Sequence, residues 1–178
     1  MTTVVGVDHS IARTGLAIIR SIDAAPELFS VASTGKDTDS RKARGRRMRE
    51  MRDAIMDQVP RNTTLAAIEG FAFSKNWPGQ DRIHHLWWLL SDAFDLLRIP
   101  LAVIPPNTLK KFVTDDGSAD KSKMRVGLSV MWPGLRIPNH DTGDGLAAAT
   151  ACAQHLGMPM PYLVRERHRL ALAKVEWP

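Results

Sequence analysis

Thr3-Val4-Val5-Gly6-Val7-Asp8 is followed, across a tight turn, by Thr14-Gly15-Leu16-Ala17-Ile18-Ile19. Both runs are apolar, rich in β-branched residues and without helical periodicity, so they read as buried strands. The short polar spacer between them predicts an antiparallel hairpin. Leu28 to Ser33 extends the hairpin with a candidate third strand. Beyond it the pattern changes. Met48, Met51, Ile55 and Val59 recur at three- and four-residue spacing and predict a helix over 40–59, ended by Pro60 and Asn62. Residues 65–69 read as a strand. Residues 81–97 read as a helix with Leu86, Leu89, Leu90, Ala93 and Leu97 on its apolar side. A short strand over 101–104, helices over 108–113 and 121–130, and a last core helix over 144–156 stopped by Gly157 complete the pattern. Hairpin strands first and strand–helix alternation afterwards predict an α/β domain with a mixed sheet flanked by helices.

Acidic residues stand at the ends of these strands. Asp8 closes the first apolar run and Glu69 closes Leu65-Ala66-Ala67-Ile68. A buried carboxylate without a partner costs stability, so two strand-end carboxylates need an explanation. Asp141 and Asp144, three apart, share one helical face at the start of the alanine-rich stretch. An acidic first turn also complements the helix dipole with no ligand at all. The small residues that follow, Gly145-Leu146-Ala147-Ala148-Ala149, would let that helix approach a sheet closely enough to bring the acids to the strand ends. A hard divalent cation, which takes oxygen ligands, is the simplest partner for all four. Glu69 can also be read as a cap on the following loop, and Asp8 as a solvated turn residue.

Charge points to the class of substrate. The 178 residues carry a net charge of +5, with 44% hydrophobic and 24% charged residues, and the pI is near 9.7. That balance fits one folded domain with an anionic partner, nucleic acid before a membrane surface. Between 41 and 52 stand Arg41, Lys42, Arg44, Arg46, Arg47, Arg49 and Arg52, with Glu50 the lone acid. A charge run is usually a solvated face, but this one lacks balancing i,i+4 partners, which favours contact with a phosphate backbone. Phe71, Phe73 and Trp77 flank Lys75 beside Glu69, a mixture suited to base stacking or simply to plugging the domain. Trp87 and Trp88 read as core or dimer interface. A single cysteine, Cys152, excludes an internal disulfide and a cysteine zinc site, and its Ala-Thr-Ala-Cys-Ala setting predicts a small buried residue. No secretory signal and no apolar run of about 20 residues is visible, so an intracellular location is expected.

Four separated pieces together resemble the RuvC family of Holliday-junction resolvases, a branch of the RNase H-like nuclease fold. They are Gly6-Val7-Asp8 with Thr14-Gly15, Ala67-Ile68-Glu69 with Lys75-Asn76, Lys110 with Gly117-Ser118-Ala119-Asp120-Lys121, and Asp141-Thr142-Gly143-Asp144-Gly145-Leu146-Ala147. They follow the family's order and spacing from residue 4 to about 156. This assigns 1–157 to a nuclease domain and leaves 158–178 as a basic tail outside the resemblance, whose Arg165, Arg167, His168 and Arg169 read as a DNA contact, a dimer contact or a solvated helix. Three departures mark a divergent member, of the kind a phage genome could carry. His9-Ser10 replace the usual Pro-Gly, Ala72 stands where an aromatic is expected, and Asp115 replaces a glycine before Asp116.

The resemblance implies a homodimeric, cytoplasmic, nucleoid-associated enzyme that nicks four-way DNA, and other branched DNA, symmetrically to leave 5′-phosphate and 3′-hydroxyl ends. It implies no membrane partner, and it leaves room for branch-migration machinery. Asp8, Glu69, Asp141 and Asp144 would hold two divalent cations, Mg²⁺ or Mn²⁺, with Asp8 bridging from its central strand. Such a pair activates water and stabilises the leaving oxygen. Lys121 would offset charge on the scissile phosphate as part of the catalytic set, and Lys110 would contact phosphate. Lys75, Phe71, Phe73, Arg44, Arg46, Arg47 and Arg49 complete the candidate DNA contacts. Alternatives are an RNA-processing nuclease of the same fold and a junction-binding protein without catalysis. An ATP-dependent phosphotransferase, suggested by the first motif, would need a second glycine-rich phosphate loop that the sequence lacks.

Overall fold

The computed structural model describes the whole chain except positions 1, 22 and 37 and residues 71–79. Two strands form the expected hairpin. β1 (Val4–Asp8) pairs antiparallel with β2 (Arg13–Ile19), from Val4 opposite Ile19 to Asp8 opposite Gly15. β3 (Glu27–Ala32) adds antiparallel to β2. The chain then crosses through α1 (Arg41–Met56) to β4 (Leu65–Glu69), which lies parallel to β1. It crosses again through α2 (Gln80–Leu96) to β5 (Leu101–Ile104), parallel to β4. The sheet order is β3-β2-β1-β4-β5, a mixed sheet with its antiparallel part at the N-terminal side, as expected.

Period-two alternation divides the core into two layers. Val5, Val7, Leu16, Ile18, Ala66 and Ile68 face α1 and α2, where Met48, Met51, Ile55, Leu86, Leu90 and Phe94 meet them. Val4, Ala17, Ile19, Leu65, Ala67 and Ile104 face α5 (His140–His155) on the other side. Helices on both faces explain why β1 is apolar throughout instead of alternating. α3 (Pro106–Thr114) and α4 (Lys121–Met131) close the α5 side.

Helix α5 is the element that sets the geometry of the acidic residues. A side chain at Gly6 would collide with the Gly145 carbonyl and the Ala149 amide, and one at Gly15 with the Asp141 backbone. The helix therefore lies directly on the backbone of β1 and β2. It starts one turn earlier than the 144–156 reading. The Asn139 side chain accepts from the Thr142 amide at 2.9 Å and Thr142 Oγ1 accepts from the Asn139 amide at 3.3 Å, a reciprocal cap. Its end is as read. Gly157 takes φ +69°, with Gly157 N–H donating to the Gln154 carbonyl and Met158 N–H to the Ala153 carbonyl. Cys152 is fully buried in this helix.

The basic C-terminal stretch contains a packed helix, not a solvated one. α6 (Glu166–Leu172) packs on α3, burying Ala171 and Leu172, while Val175 is buried beyond it. The Trp177 ring stacks on His155 at 3.9 Å. His168, counted with the basic residues, is no surface cation. It is 2% exposed, its Nδ1 accepts from the Arg165 amide at 3.1 Å, and burial lowers its pKa to about 4. Among the described residues no helix is long and apolar enough to cross a membrane.

Candidate active site

Parallel pairing of β1 and β4, with Val7 opposite Ile68, puts Asp8 and Glu69 side by side at the same end of the sheet. Their carboxyl groups lie close enough to interact by hydrogen bonding. Asp8 is pushed far above the ordinary carboxylate range by burial first, then by the charges of Glu69, Asp144 and Asp141. Glu69 is raised by burial and by Asp144, with its hydrogen bond to Asp8 and the charge of Lys110 pulling the other way. Asp144 is raised by burial, offset by Lys121, with Asp141 raising it further. The four acids thus feel one another electrostatically, as crowded carboxylates must.

The loop between β1 and β2 is held by groups whose roles the sequence does not reveal. Thr14 is fully buried, and its hydroxyl donates to the Ser10 carbonyl at 3.2 Å while accepting from the Ser10 amide at 3.3 Å. The Ile11 carbonyl accepts from Ser33 Oγ at 2.6 Å and from the Arg47 guanidinium at 3.0 Å, and Arg47 Nε also donates to Ser33 Oγ at 2.8 Å. The Thr14-Gly15 pair thus pins the turn after Asp8 and admits α5. His9, in the place of the usual proline, is buried, and burial beside His84 lowers its pKa to about 4, leaving it neutral.

Two cations flank the carboxylates. Lys110, on α3, acts on both Glu69 and Asp144, and Lys121, the first residue of α4, acts on Asp144. The loop that presents Lys121 is built on Asp116, which accepts from the Ser118 amide at 2.9 Å and from Lys123 Nζ at 3.1 Å. Asp120 then caps α4 by accepting from the Lys123 amide at 2.9 Å. Asp115, standing where a glycine is expected, takes φ +68°, a left-handed conformation that aspartate tolerates better than most residues. Two residues that the sequence pattern does not single out join the site. Arg125, one turn after Lys121, and His140, which precedes Asp141, line a small hollow with Lys121 and Asp144. Only the i,i+4 spacing from Lys121 could have pointed to Arg125.

The α1 cations differ from the expectation. Arg47 braces the turn, donating to Ser33 Oγ and the Ile11 carbonyl. Arg46 does have an i,i+4 partner, Glu50 at 3.6 Å, and Arg52 pairs with Asp53 at 2.6 Å. Arg44 and Arg49 form no salt bridge among the described residues. Lys75, Phe71, Phe73 and Trp77 lie outside the described residues. Among those described, no group of three or more His, Cys, Asp or Glu side chains is placed to hold a metal ion.

No family model matches the sequence. Curated relatives do. The crossover junction endodeoxyribonuclease RuvC of Zymomonas mobilis is 27% identical over 165 residues, covering 91% of this chain and 96% of that protein. Its counterpart in Afipia carboxidovorans is 26% identical over 153 residues, covering 85% and 88%. Among solved structures, Thermus thermophilus RuvC in complex with a Holliday junction substrate matches with a TM-score of 0.66 at 17% identity, covering 90% of this chain and 99% of that one. A second Thermus thermophilus RuvC structure gives 0.63 at 18% identity. The chain thus shares the fold of these RuvC structures and is similar in sequence, along most of its length, to curated RuvC crossover junction endodeoxyribonucleases.

Proposed function

We propose that this protein is a structure-specific DNA endonuclease that resolves four-way junctions by hydrolysing phosphodiester bonds. The observation that carries the reading is the meeting of Asp8, Glu69 and Asp144 at one end of the sheet, with Lys110 and Lys121 beside them. The curated relatives named for crossover junction cleavage support the choice of substrate.

The donor set fits a hard divalent cation. It is all oxygen, and its carboxyls are held above their ordinary range by burial and mutual repulsion that a cation would relieve. Asp8, Glu69, Asp141 and Asp144 would hold it. Bound there, Mg²⁺ or Mn²⁺, two per site in this reading, supplies Lewis acidity and a lowered water pKa.

The protein's own residues supply placement and charge. β1 and β4 fix the backbone positions of Asp8 and Glu69 through sheet register. α5 carries Asp141 and Asp144 in on the glycine contacts. Lys121 and Lys110 offset charge that builds on the phosphate, where donors already in position are most effective. Arg44, Arg46 and Arg49 track the phosphate backbone away from the cut. The protein acts as a homodimer in the cytoplasm, on DNA of the nucleoid. Trp88 supports the dimer, being 58% exposed on α2 beside the buried Trp87. A two-fold assembly would set two sites on a two-fold substrate.

Incubating the protein and Mg²⁺ with a four-way DNA junction, a flap, a linear duplex and a structured RNA tests the reading. Paired nicks confined to branched DNA are expected. Equal cleavage of the RNA or of the duplex would overturn it.

A further inference from the structure

A groove of about 510 Å³ lies on the side of α4 turned away from the carboxylates. Lys121, Met124, Arg125 and Leu128 line the hollow beside Asp144, whereas Ser122, Lys123, Val126, Gly127 and Val130 line the groove. One helix therefore serves two surfaces. The opposite wall is the chain from Tyr162 to His168. The groove is braced. Tyr162 Oη donates to Gln154 at 2.8 Å, and the His168 ring packs edge-on against Tyr162 at 5.2 Å and Phe112 at 5.7 Å. Gly127 keeps the floor low, since a side chain there would come within 2.6 Å of Val113 Cγ1.

Its apolar lining is left in water. Val126 is 62% exposed, Val130 67% and Leu163 75%. Val126 and Val130 stand one helical turn apart, a ridge suited to interleaving with the side chains of another helix. The charged side chains that line it are cationic, with Asp115 and Asp116 near its edge. Lys123, Arg165 and Arg167 line the groove and no acidic residue does. Lys123 is paired with Asp116, but Arg165 and Arg167 form no salt bridge among the described residues. A phosphate backbone would satisfy the arginines and leave the valines and Leu163 exposed. A second copy of this basic chain would satisfy the apolar floor and bring cation against cation.

We propose that this groove docks an amphipathic, acidic helix of a partner protein, with apolar side chains on Val126, Val130 and Leu163 and carboxylates on Arg165 and Arg167. Because the groove and the carboxylate site use opposite faces of α4, partner and junction can be held together.

The probe is a fluorescein-labelled helical peptide of about 15 residues with leucines at i, i+4, i+7 and i+11 and glutamates elsewhere. The control peptide carries lysine in place of each glutamate. By fluorescence anisotropy, the acidic peptide should bind the full-length protein with a micromolar dissociation constant. The paired variants Val126→Asp/Val130→Asp and Arg165→Glu/Arg167→Glu should each weaken it by about tenfold or more, while junction nicking is retained. All four residues are at the surface or its edge, and melting curves on each variant check folding. Equal binding of the lysine control, or unchanged binding in the folded variants, would overturn the proposal. Displacement of the peptide by four-way DNA would assign the groove to nucleic acid instead. A fall in molar mass by light scattering for Val126→Asp/Val130→Asp would assign it to a second copy.

Discussion

Asp8 is held in a position that disfavours its own charge. Burial and three neighbouring acids raise its pKa from 3.8 to about 10. A raised carboxyl means that the folded chain binds more protons than the unfolded chain between those two values. The stability tied to the protonated form is full below 3.8 and is lost as pH rises toward about 10. In chelator, the melting temperature should therefore fall from pH 5 to pH 8. The Asp8→Asn variant should melt higher than wild type at pH 8, with a flatter pH dependence, and Mg²⁺ should narrow the difference by stabilising wild type alone. An Asp8→Asn protein that melts lower at every pH would contradict the electrostatic account. Arg47 and Arg49 separate two roles within one charge run. Arg47→Ala should lose about 1–3 kcal/mol of stability by denaturant unfolding, because a charged donor leaves Ile11 and Ser33. Arg49→Ala should leave stability nearly unchanged and lower the salt slope of junction binding by about 0.9 for each phosphate that the arginine neutralises. The sequence shows both arginines equally. It does not show that one reaches a carbonyl 36 positions away.

At the scale of elements, α5 decides whether four acids meet. Gly6 and Gly15 leave the strand backbones bare, and α5 occupies the space. Gly15→Ala would drive a methyl group into the Asp141 backbone, so α5 must shift at a cost of about 1–3 kcal/mol or more. Urea unfolding should show that loss, and cleavage should fall further than stability does, because the shift carries Asp141 and Asp144 with it. A fully active, fully stable Gly15→Ala protein would mean that the glycine does not position the site. Most elements are legible because their signals are local: the β1–β2 hairpin from its apolar runs, α1 from Met48, Met51 and Ile55. One boundary and one face are misread for physical reasons. Asp141 and Asp144 draw the start of α5 inward, although the cap that begins the helix is Asn139, whose partner Thr142 is not acidic. The cations Arg165, Arg167 and Arg169 suggest a solvated face, whereas α6 buries His168, Ala171 and Leu172 at a three- and four-residue spacing that shows once the histidine is counted as neutral. The acidic site itself is legible as residues. Its geometry is not, because parallel register and glycine contacts are long-range facts.

For the whole molecule, one site cuts one strand, and resolution needs two. Trp88 and the end of α2 at Leu96, 81% exposed, leave apolar surface that a second copy would cover. Light scattering at micromolar concentration should give twice the 19.7 kDa chain mass, and Trp88→Glu should return a monomer that still binds DNA. A monomeric wild type making paired cuts would refute this assembly. The central claim is that Asp8, Glu69 and Asp144 form one cation-dependent nuclease site specific for branched DNA. Its most direct test is strand-mapped cleavage of a four-way junction by wild type and by Asp8→Asn, Glu69→Gln and Asp144→Asn, with Mg²⁺ or with chelator, alongside gel-shift binding. Wild type with Mg²⁺ should give paired, symmetric nicks. Wild type in chelator and each variant should bind the junction yet leave it uncut. Full cleavage by any one of the variants, or by wild type in chelator, would contradict the account.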